Sequence, residues 1–257
     1  MNISEGTKIN QLLQNWPKGT VATSLWLKKQ GINAILKQAY QETHWIESIG
    51  HGAVIRKGDS INWEGGLFAL QNQLQIDIHV GGKSALELQG YAHFIKFGQS
   101  SIHLYMPSGK KLPLWFTNRQ WGLTIQVHKT KFLCSDNGLT SHKEIDFSIS
   151  ISGPERAFLE MLYLVPKDQD LQECYYLLEN MIDLRPTVLQ SLLENTDSIK
   201  VKRLFFFLAD KLKHPWLDQL DKSRLPLGSG KRKIVEGGVL DKKYLITVPR
   251  ELINHDG

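Results

Sequence analysis

Polar side chains that can read nucleic-acid bases recur at helical spacing near the start of the chain. Asn33, Lys37 and Gln41 lie four residues apart, with Gln38 beside them, so a helix would align them along one face. Asparagine and glutamine can pair bidentately with the major-groove edge of adenine, and lysine can bind guanine or phosphate. A merely solvated polar face is the simpler interpretation of such a stripe, so the surrounding elements must decide between the two.

Basic residues accompany this stripe. Lys28 and Lys29 end the preceding helical segment, where they would meet backbone phosphates and fix the register on DNA. His51 lies in a tight turn and could approach a groove or a phosphate, although an inert loop histidine fits equally well. Residues 1–42 contain five lysines against two glutamates, whereas residues 151–213 contain ten acidic against eight basic residues. Only the first region is therefore predicted to bind phosphates.

A second candidate site is Gly81-Gly82-Lys83-Ser84, which follows a predicted strand and precedes a predicted helix. A phosphate-binding P-loop requires G-x-x-x-x-G-K-[ST], and Asp77 occupies the position of its first glycine. A carboxylate there would repel phosphate. We therefore predict a structural turn with a capping serine rather than a nucleotide site.

Two short acidic motifs raise enzymatic alternatives. Asp168-Gln169-Asp170 could hold a metal ion, but its position ahead of a helix favours capping. Asp241 and Lys243 match the D-x-K end of some nuclease sites, although a turn between two strands explains them. The sequence contains no H-E-x-x-H, C-x-x-C or G-x-S-x-G motif of the kinds that zinc sites and hydrolase nucleophiles use. We therefore predict no enzymatic activity, no cofactor and no metal site.

Apolar periodicity predicts three short helices and a hairpin around the polar stripe. The helices would end at Trp16, span Leu25–Gln30 and run from Asn33 to about Glu42, and the strands would span Trp45–Ile49 and Ala53–Arg56. Thr23 or Ser24 would cap the second helix and Gly31 would end it, while Leu36 and Tyr40 would face inward, opposite the stripe. Three helices with a glycine in the second turn, followed by a hairpin, predict a winged helix-turn-helix.

The rest of the chain predicts a larger mixed domain. The expected strands span Ile76–Val80, Ile102–Tyr105, Leu123–Val127, Ile145–Ile149, Ile234–Gly238 and Tyr244–Val248, and the expected helices are Trp63–Leu74, Ser84–Tyr91 and three apolar stripes between residues 158 and 212, with Pro186 opening a continuation of the second stripe. The fold class is therefore α+β. We predict a winged-helix DNA-binding domain over residues 1–82 and a mixed α/β domain over residues 83–257.

The composition favours a location in the cytoplasm and argues against a membrane protein. No apolar run approaches the ~18 residues of a membrane span, and the N-terminus lacks the pattern of a secretory signal. Two cysteines are too few for a disulfide framework, which favours a reducing cytoplasm. The net charge of +5 permits a polyanionic partner without requiring one.

Several blocks along residues 5–252 resemble one family, the AbiEi antitoxins of type IV toxin–antitoxin systems. The most specific block is Ile78–Leu88, and the others are Thr23–Leu27 before Gly31, Gly52-Ala53, Trp63–Gly66 with Ala69–Gln71, Lys200–Phe205, Gly228–Arg232 and Asp241–Pro249. The resemblance implies a phage-defence (abortive infection) regulator whose winged helix binds inverted repeats in its own promoter and represses it. It also implies a cognate nucleotidyltransferase-like toxin, AbiEii, which the larger C-terminal antitoxin domain neutralises, with direct contact left open.

The resemblance transfers no catalytic residues, and it transfers DNA contacts only by position in the motif. The candidate DNA-binding residues are Thr23, Ser24, Lys28, Lys29, Asn33, Lys37, Gln38, Gln41 and His51. An alternative is a one-component transcription factor whose C-terminal domain senses a small ligand, and a further one is a nuclease that uses Asp241 and Lys243. We predict a cytoplasmic repressor and antitoxin that binds double-stranded DNA.

Overall fold

A computed structural model describes residues 3–91, 101–133 and 136–254. The chain forms two compact units, each drawn from several stretches. The first comprises Met1–His79, Gln99–Lys129 and Ser141–Ser150, and the second comprises Val80–Gly98, Thr130–Thr140 and Ile151–Gly257. The mixture of helices and sheets confirms the α+β class. The predicted boundary between residues 82 and 83 separates two functions, DNA binding and neutralisation of the toxin. Because it concerns functions, this boundary stays a prediction.

The first unit begins with the predicted helices and hairpin. The elements are α1 (Ile3–Asn15), β1 (Ala22–Thr23), α2 (Ser24–Lys29), α3 (Ala34–Glu42), β2 (Ile46–Gly50) and β3 (Ala53–Arg56). The three strands form an antiparallel sheet of order β1-β3-β2. This is the order of elements that the prediction of a winged helix-turn-helix requires.

One apolar cluster holds these elements together. Its buried members are Ile9, Leu12, Trp16, Ala22, Leu27, Ile32, Tyr40, Ile46 and Val54. They come from all three helices and all three strands, so each element buries its apolar face against the others. Burial of each large side chain contributes roughly 1.5–3 kcal/mol, which is enough to hold helices that are too short to be stable alone.

The helix that follows differs from its prediction. Helix α4 spans Trp63–Phe68 and continues as a π-helical turn over Ala69–Gln73, where a regular helix to Leu74 was expected. The Gln73 side chain accepts from the Thr23 amide and donates to the Val21 carbonyl, each at 2.8 Å, so it pairs with the backbone of β1 and of the residue before it. Sequence periodicity does not encode such tertiary hydrogen bonds.

The middle of the chain supplies a five-stranded sheet. Its region contains β4 (His79–Val80), α5 (Gly82–Leu88), β5 (Ser101–Pro107), α6 (Leu114–Thr117), β6 (Thr124–Thr130), β7 (Leu139–Lys143) and β8 (Ser148–Ser152). The strand order is β6-β5-β4-β8-β7. The predicted strands over 76–80 and 145–149 were misplaced, because only His79 and Val80 extend and Ile145 is exposed in a turn. Strand β7 was not predicted, since Leu139 is its one apolar residue.

The second unit is mainly helical. It contains α7 (Pro154–Leu164), α8 (Leu171–Glu179), α9 (Pro186–Glu194), α10 (Ile199–Leu212), 3₁₀ turns over Pro215–Gln219 and Lys222–Arg224, β9 (Arg232–Lys233), β10 (Val239–Asp241), β11 (Ile246–Val248) and α11 (Arg250–Asn254). Helices α7, α8 and α10 confirm the three predicted apolar stripes, but the second helix ends at Glu179, before Met181 and Ile182, and Pro186 opens a separate helix, α9. The predicted strand over 234–238 is wrong, because the chain turns there, with Gly237 at φ +65°; β9 ends before these residues and β10 begins after them, and the two strands flank β11 in the sheet.

Candidate nucleic-acid interface

The turn between α2 and α3 is fixed by local hydrogen bonds. Thr23 caps α2, since its hydroxyl accepts from the Trp26 amide at 3.2 Å, and Asn33 caps α3 by accepting from the Leu36 amide at 2.9 Å. Gly31 follows α2 with φ +79°, in the left-handed conformation that glycine adopts without strain. These caps confirm the predicted start and end signals. They also set the angle at which α3 leaves α2.

Ser24 joins three elements of the candidate interface. Its amide donates to the Gly52 carbonyl in the hairpin turn at 2.8 Å, and its hydroxyl accepts from Lys37 Nζ of α3 at 3.2 Å. His51, exposed in the same turn, is the residue before Gly52. The structure therefore brings together Ser24, Lys37 and the hairpin turn, which are separated by up to 28 positions in the sequence.

The nine predicted contact residues differ in exposure. Those exposed are Ser24, Lys28, Lys29, Asn33, Gln38 and His51, those partly buried are Lys37 and Gln41, and the one buried is Thr23. Thr23 is 2% exposed and its hydroxyl is engaged in the cap. Its side chain therefore positions α2.

The polar stripe lies on a flank of α3 rather than opposite its buried face. Each residue of a helix advances by about 100°, which places Lys37 and Gln41 beside the inward-facing Tyr40. Gln38 is the outermost polar residue, and its amide donates to Glu42 at 2.9 Å. Two apolar side chains on this helix that the sequence analysis did not single out are also exposed, those of Ala34 and Ile35, and Ile35 is 80% exposed. The available signal was that Ile35 falls outside the apolar stripe of the helix.

Two lysines make the end of α2 positive. Lys28 and Lys29 form its last turn, are exposed, and make no ion pair within the described part of the chain. Within α2 and α3, the carboxylate nearest in sequence to these lysines is that of Glu42, and it accepts a hydrogen bond from the Gln38 side chain. Unpaired lysines at such a position are available for phosphate oxygens.

The glycine turn at residues 81–84 is occupied by carboxylates of the chain itself. The Gly82 amide donates to the buried Glu160 carboxylate at 3.0 Å, and Lys83 pairs with Glu173. The groups that would bind a phosphate in a P-loop are thus engaged by internal anions. These contacts support the prediction of a structural turn. The predicted cap by Ser84 is wrong, because the helix already begins at Gly82, with Gly81 as its N-cap, and Ser84 lies inside it.

The two acidic motifs also have structural partners. Asp170 caps α8 by accepting from the amides of Gln172 and Glu173, as the capping interpretation predicted. Asp241 accepts from the Tyr244 amide at 2.6 Å and Lys243 pairs with Asp210. The described residues contain no cluster of three or more metal-ligating side chains, and none of their helices is long and apolar enough to cross a bilayer.

Family models of transcriptional regulators match almost the whole chain. Residues 5–97 match the model of the AbiEi antitoxin N-terminal domain, and residues 99–249 match the model described as transcriptional regulator, AbiEi antitoxin, type IV TA system. The chain belongs to the AbiEi antitoxin family. The resemblance inferred from the sequence is thereby confirmed, and with it the function of the chain as an antitoxin and transcriptional regulator at the level of the family.

Comparison with other proteins adds a likeness in fold. No curated protein matches the AbiEi chain. Among solved structures, the RV2827C protein from Mycobacterium tuberculosis is similar, with a TM-score of 0.60 at 14% identity over 96% of this chain and 92% of that one. At this identity the likeness concerns the fold alone.

Proposed function

We propose that this AbiEi protein binds inverted repeats in the promoter of its own operon, represses that promoter, and neutralises a nucleotidyltransferase-like toxin in the cytoplasm. The observation that carries the DNA-binding half is the junction at Ser24, which ties the start of α2 to α3 and to the hairpin turn. A helix held between a basic helix end and a hairpin is the arrangement by which winged helices enter a major groove.

Within this proposal the contacts divide into two kinds. Lys28 and Lys29 bind phosphates and set the register, because they are exposed cations at the end of α2. Gln38 reads a base edge as the outermost amide of α3, and Asn33 and Gln41 contact the groove from its sides. Lys37 and His51 meet the DNA backbone on the side of the hairpin turn. Ser24 helps to hold them there.

The operator is expected to contain two half-sites. One short recognition helix reaches only a few base pairs, which is too little information to select one promoter. An inverted repeat read by two copies of the chain doubles the site that is read. We assign neutralisation of the toxin to residues 83–257, because the helical stretch over residues 151–213 within that region carries ten acidic against eight basic residues, which does not suit phosphate binding.

Binding of the full chain to its own promoter tests the repressor assignment. Affinity for the promoter duplex should exceed that for a scrambled duplex and should fall steeply with salt, because each neutralised phosphate releases counterions. Lys28→Ala and Lys29→Ala should each reduce the slope of log affinity against log salt by about one unit. Lys167→Ala, which removes an exposed lysine of the second unit, is the matched control. Equal affinity for promoter and scrambled DNA at physiological salt would refute the assignment.

A variant that separates repression from toxin neutralisation tests the proposed division of the two activities. A chain carrying both Lys28→Ala and Lys29→Ala, expressed from an unrelated promoter, should fail to repress an operon reporter but should still restore growth to cells that express the nucleotidyltransferase toxin. Gln38→Ala should relax preference at one base pair by ~1–3 kcal/mol. Loss of toxin neutralisation in parallel with DNA binding would contradict the proposed division.

A further inference from the structure

The first turn of α3 presents an apolar surface where a polar one would be expected. Ile35 is 80% exposed and Ala34 beside it is exposed as well. A single exposed apolar side chain needs no explanation. This one, however, lies on the helix that also carries Gln38, one turn further on and on the same outward side.

The geometry of α3 excludes a structural use of Ile35 within the described chain. The helix packs inward through Tyr40 and partly through Leu36, and Ile35 lies outside that cluster. An isoleucine that stays in water forgoes the stabilisation that burial gives to a side chain of this size. A partner that covers it on binding would recover that stabilisation.

We propose that Ile35, with Ala34, reads the 5-methyl group of a thymine in the operator, next to the base pair that Gln38 contacts. The inference rests on the proposed DNA-binding function. Thymine alone among the four bases presents a methyl group in the major groove, and the first residues of a recognition helix are those that reach base edges. The lysines of α2 supply the positive charge that brings a phosphate backbone, rather than an apolar protein surface, to this side of the unit.

The spacing of Ile35 and Gln38 predicts that the two side chains contact adjacent base pairs. Ile35 and Gln38 lie three residues apart, which is about 4.5 Å along the helix axis, comparable to the separation of adjacent base pairs. Gln38 can pair with adenine while Ile35 buries a methyl group. The recognised step therefore contains an adenine contacted by Gln38 and a neighbouring thymine contacted by Ile35.

Replacement of thymine by deoxyuridine, which lacks only the methyl group, tests this readout. The promoter duplex is scanned one thymine at a time with the full-length chain. We expect one position in each half-site to lose about fourfold in affinity, as for exposure of one buried methyl group. Ile35→Ala should weaken binding to the unmodified duplex by a similar or larger factor, and deoxyuridine at that position should cost the variant nothing more.

Controls separate this inference from its alternatives. Leu114→Ala removes another exposed apolar side chain of the same unit, which is 70% exposed, and should leave affinity unchanged. An equal loss on deoxyuridine substitution in the wild type and in Ile35→Ala would overturn the assignment, as would a promoter without a sensitive thymine. A lower sedimentation coefficient of Ile35→Ala off DNA would instead make this surface a contact between two copies and would also overturn it. Failure to distinguish promoter from scrambled DNA would refute the repressor function itself.

Discussion

Replacement of Glu160 should lower the free energy of unfolding of the second unit more than the loss of an exposed ion pair does. The side chain is 1% exposed and lies at the centre of a buried polar group. Its carboxylate accepts from the Gly82 amide at 3.0 Å, from the Ser152 hydroxyl at 2.8 Å and from Arg156 Nε at 2.9 Å. Arg156 is 4% exposed and forms an ion pair with this carboxylate, and it also donates to the carbonyls of Asn137 and Leu133.

The magnitude follows from what Glu160→Ala leaves behind. Removal of one partner of a buried ion pair costs roughly 3–5 kcal/mol, because the other charge stays buried without compensation. Replacement of both partners by apolar residues, Arg156→Met with Glu160→Leu, should cost less than the sum of the two single replacements, since no uncompensated charge then remains, although the groups that hydrogen-bond to the pair lose these partners. Glu236→Ala is the control. Its ion pair with Lys233 is mostly exposed, so the loss should not exceed about 1 kcal/mol.

Urea unfolding followed by circular dichroism measures these differences. The free energy of unfolding is obtained from the midpoint and the slope of each transition. We expect the midpoint of Glu160→Ala to lie far below that of Glu236→Ala, and the double replacement to cost less than its two single replacements added together. A shift for Glu160→Ala as small as that of the control would refute the reasoning. So would a double replacement that costs the sum of the two single ones.

Four further outcomes follow from other parts of the molecule. Gln73→Ala leaves two buried backbone groups, the Thr23 amide of β1 and the Val21 carbonyl before it, without this partner, so stability should fall by about 1–3 kcal/mol per group and amide exchange in β1 should accelerate. Burial raises the pKa of Glu155, but the hydrogen bonds from the side chain and amide of Arg185 outweigh it and lower the pKa below its ordinary value of 4.5. The stability that this pair contributes should therefore be complete above pH 4.5 and should be lost as the pH falls through the lowered pKa. Glu155→Gln should abolish that component of acid unfolding. Burial raises the pKa of the Cys174 thiol, so mass spectrometry should detect its alkylation by iodoacetamide only after unfolding. The isolated residues 1–82 should melt at a lower temperature by circular dichroism than the full chain, because they lack side chains from residues 101–150 that pack on them.

The helices and caps near the start of the chain could be predicted because their signals are local. Asn33 caps α3 and Gly31 ends α2 through hydrogen bonds between residues at most four positions apart. Period-3.6 patterns likewise indicated α7, α8 and α10, since each of these helices buries an apolar stripe, and Pro186 indicated the start of α9. Where neighbours in sequence determine the conformation, the residue types carry enough information.

The failures share a different cause. Ile145 continues an alternating pattern with Phe147 and Ile149, yet the chain turns there and leaves Ile145 94% exposed. Gly237 breaks a run of strand-forming residues near the end. In both places the strand register depends on which distant strand is available for pairing, and a local pattern does not specify that.

The spacing of the polar stripe could be predicted from the sequence, but its position on α3 could not. Four-residue spacing placed Asn33, Lys37 and Gln41 on one face correctly, yet that face is a flank of α3. The inward direction of a helix is set by all of its packing partners. For α3 these include Ile46 of β2 and Leu27 of α2. The junction of Ser24 with the hairpin turn is a tertiary contact that the spacing of residues in the sequence does not predict.

The hairpin itself is held in place by a later part of the chain. A Cβ at Gly50, in the first strand of the hairpin, would lie 3.0 Å from Trp115 Cβ, so the backbone of β2 lies directly against α6. The same first unit brings Trp121 against Gly66 of α4, where a Cβ would lie 2.7 Å from the ring.

Two more contacts bind α4 to residues beyond position 140 of the same unit. Gln71 exchanges hydrogen bonds with the backbone of Ser150, and Phe68 packs on Phe147 with ring centroids 5.2 Å apart. The elements that would touch DNA therefore take their support from residues well outside the predicted winged-helix domain. A division at residue 82 separates the proposed functions, but the packing that orients the hairpin extends across it, so substitutions at Trp115 or Trp121 are expected to weaken promoter binding without contacting DNA.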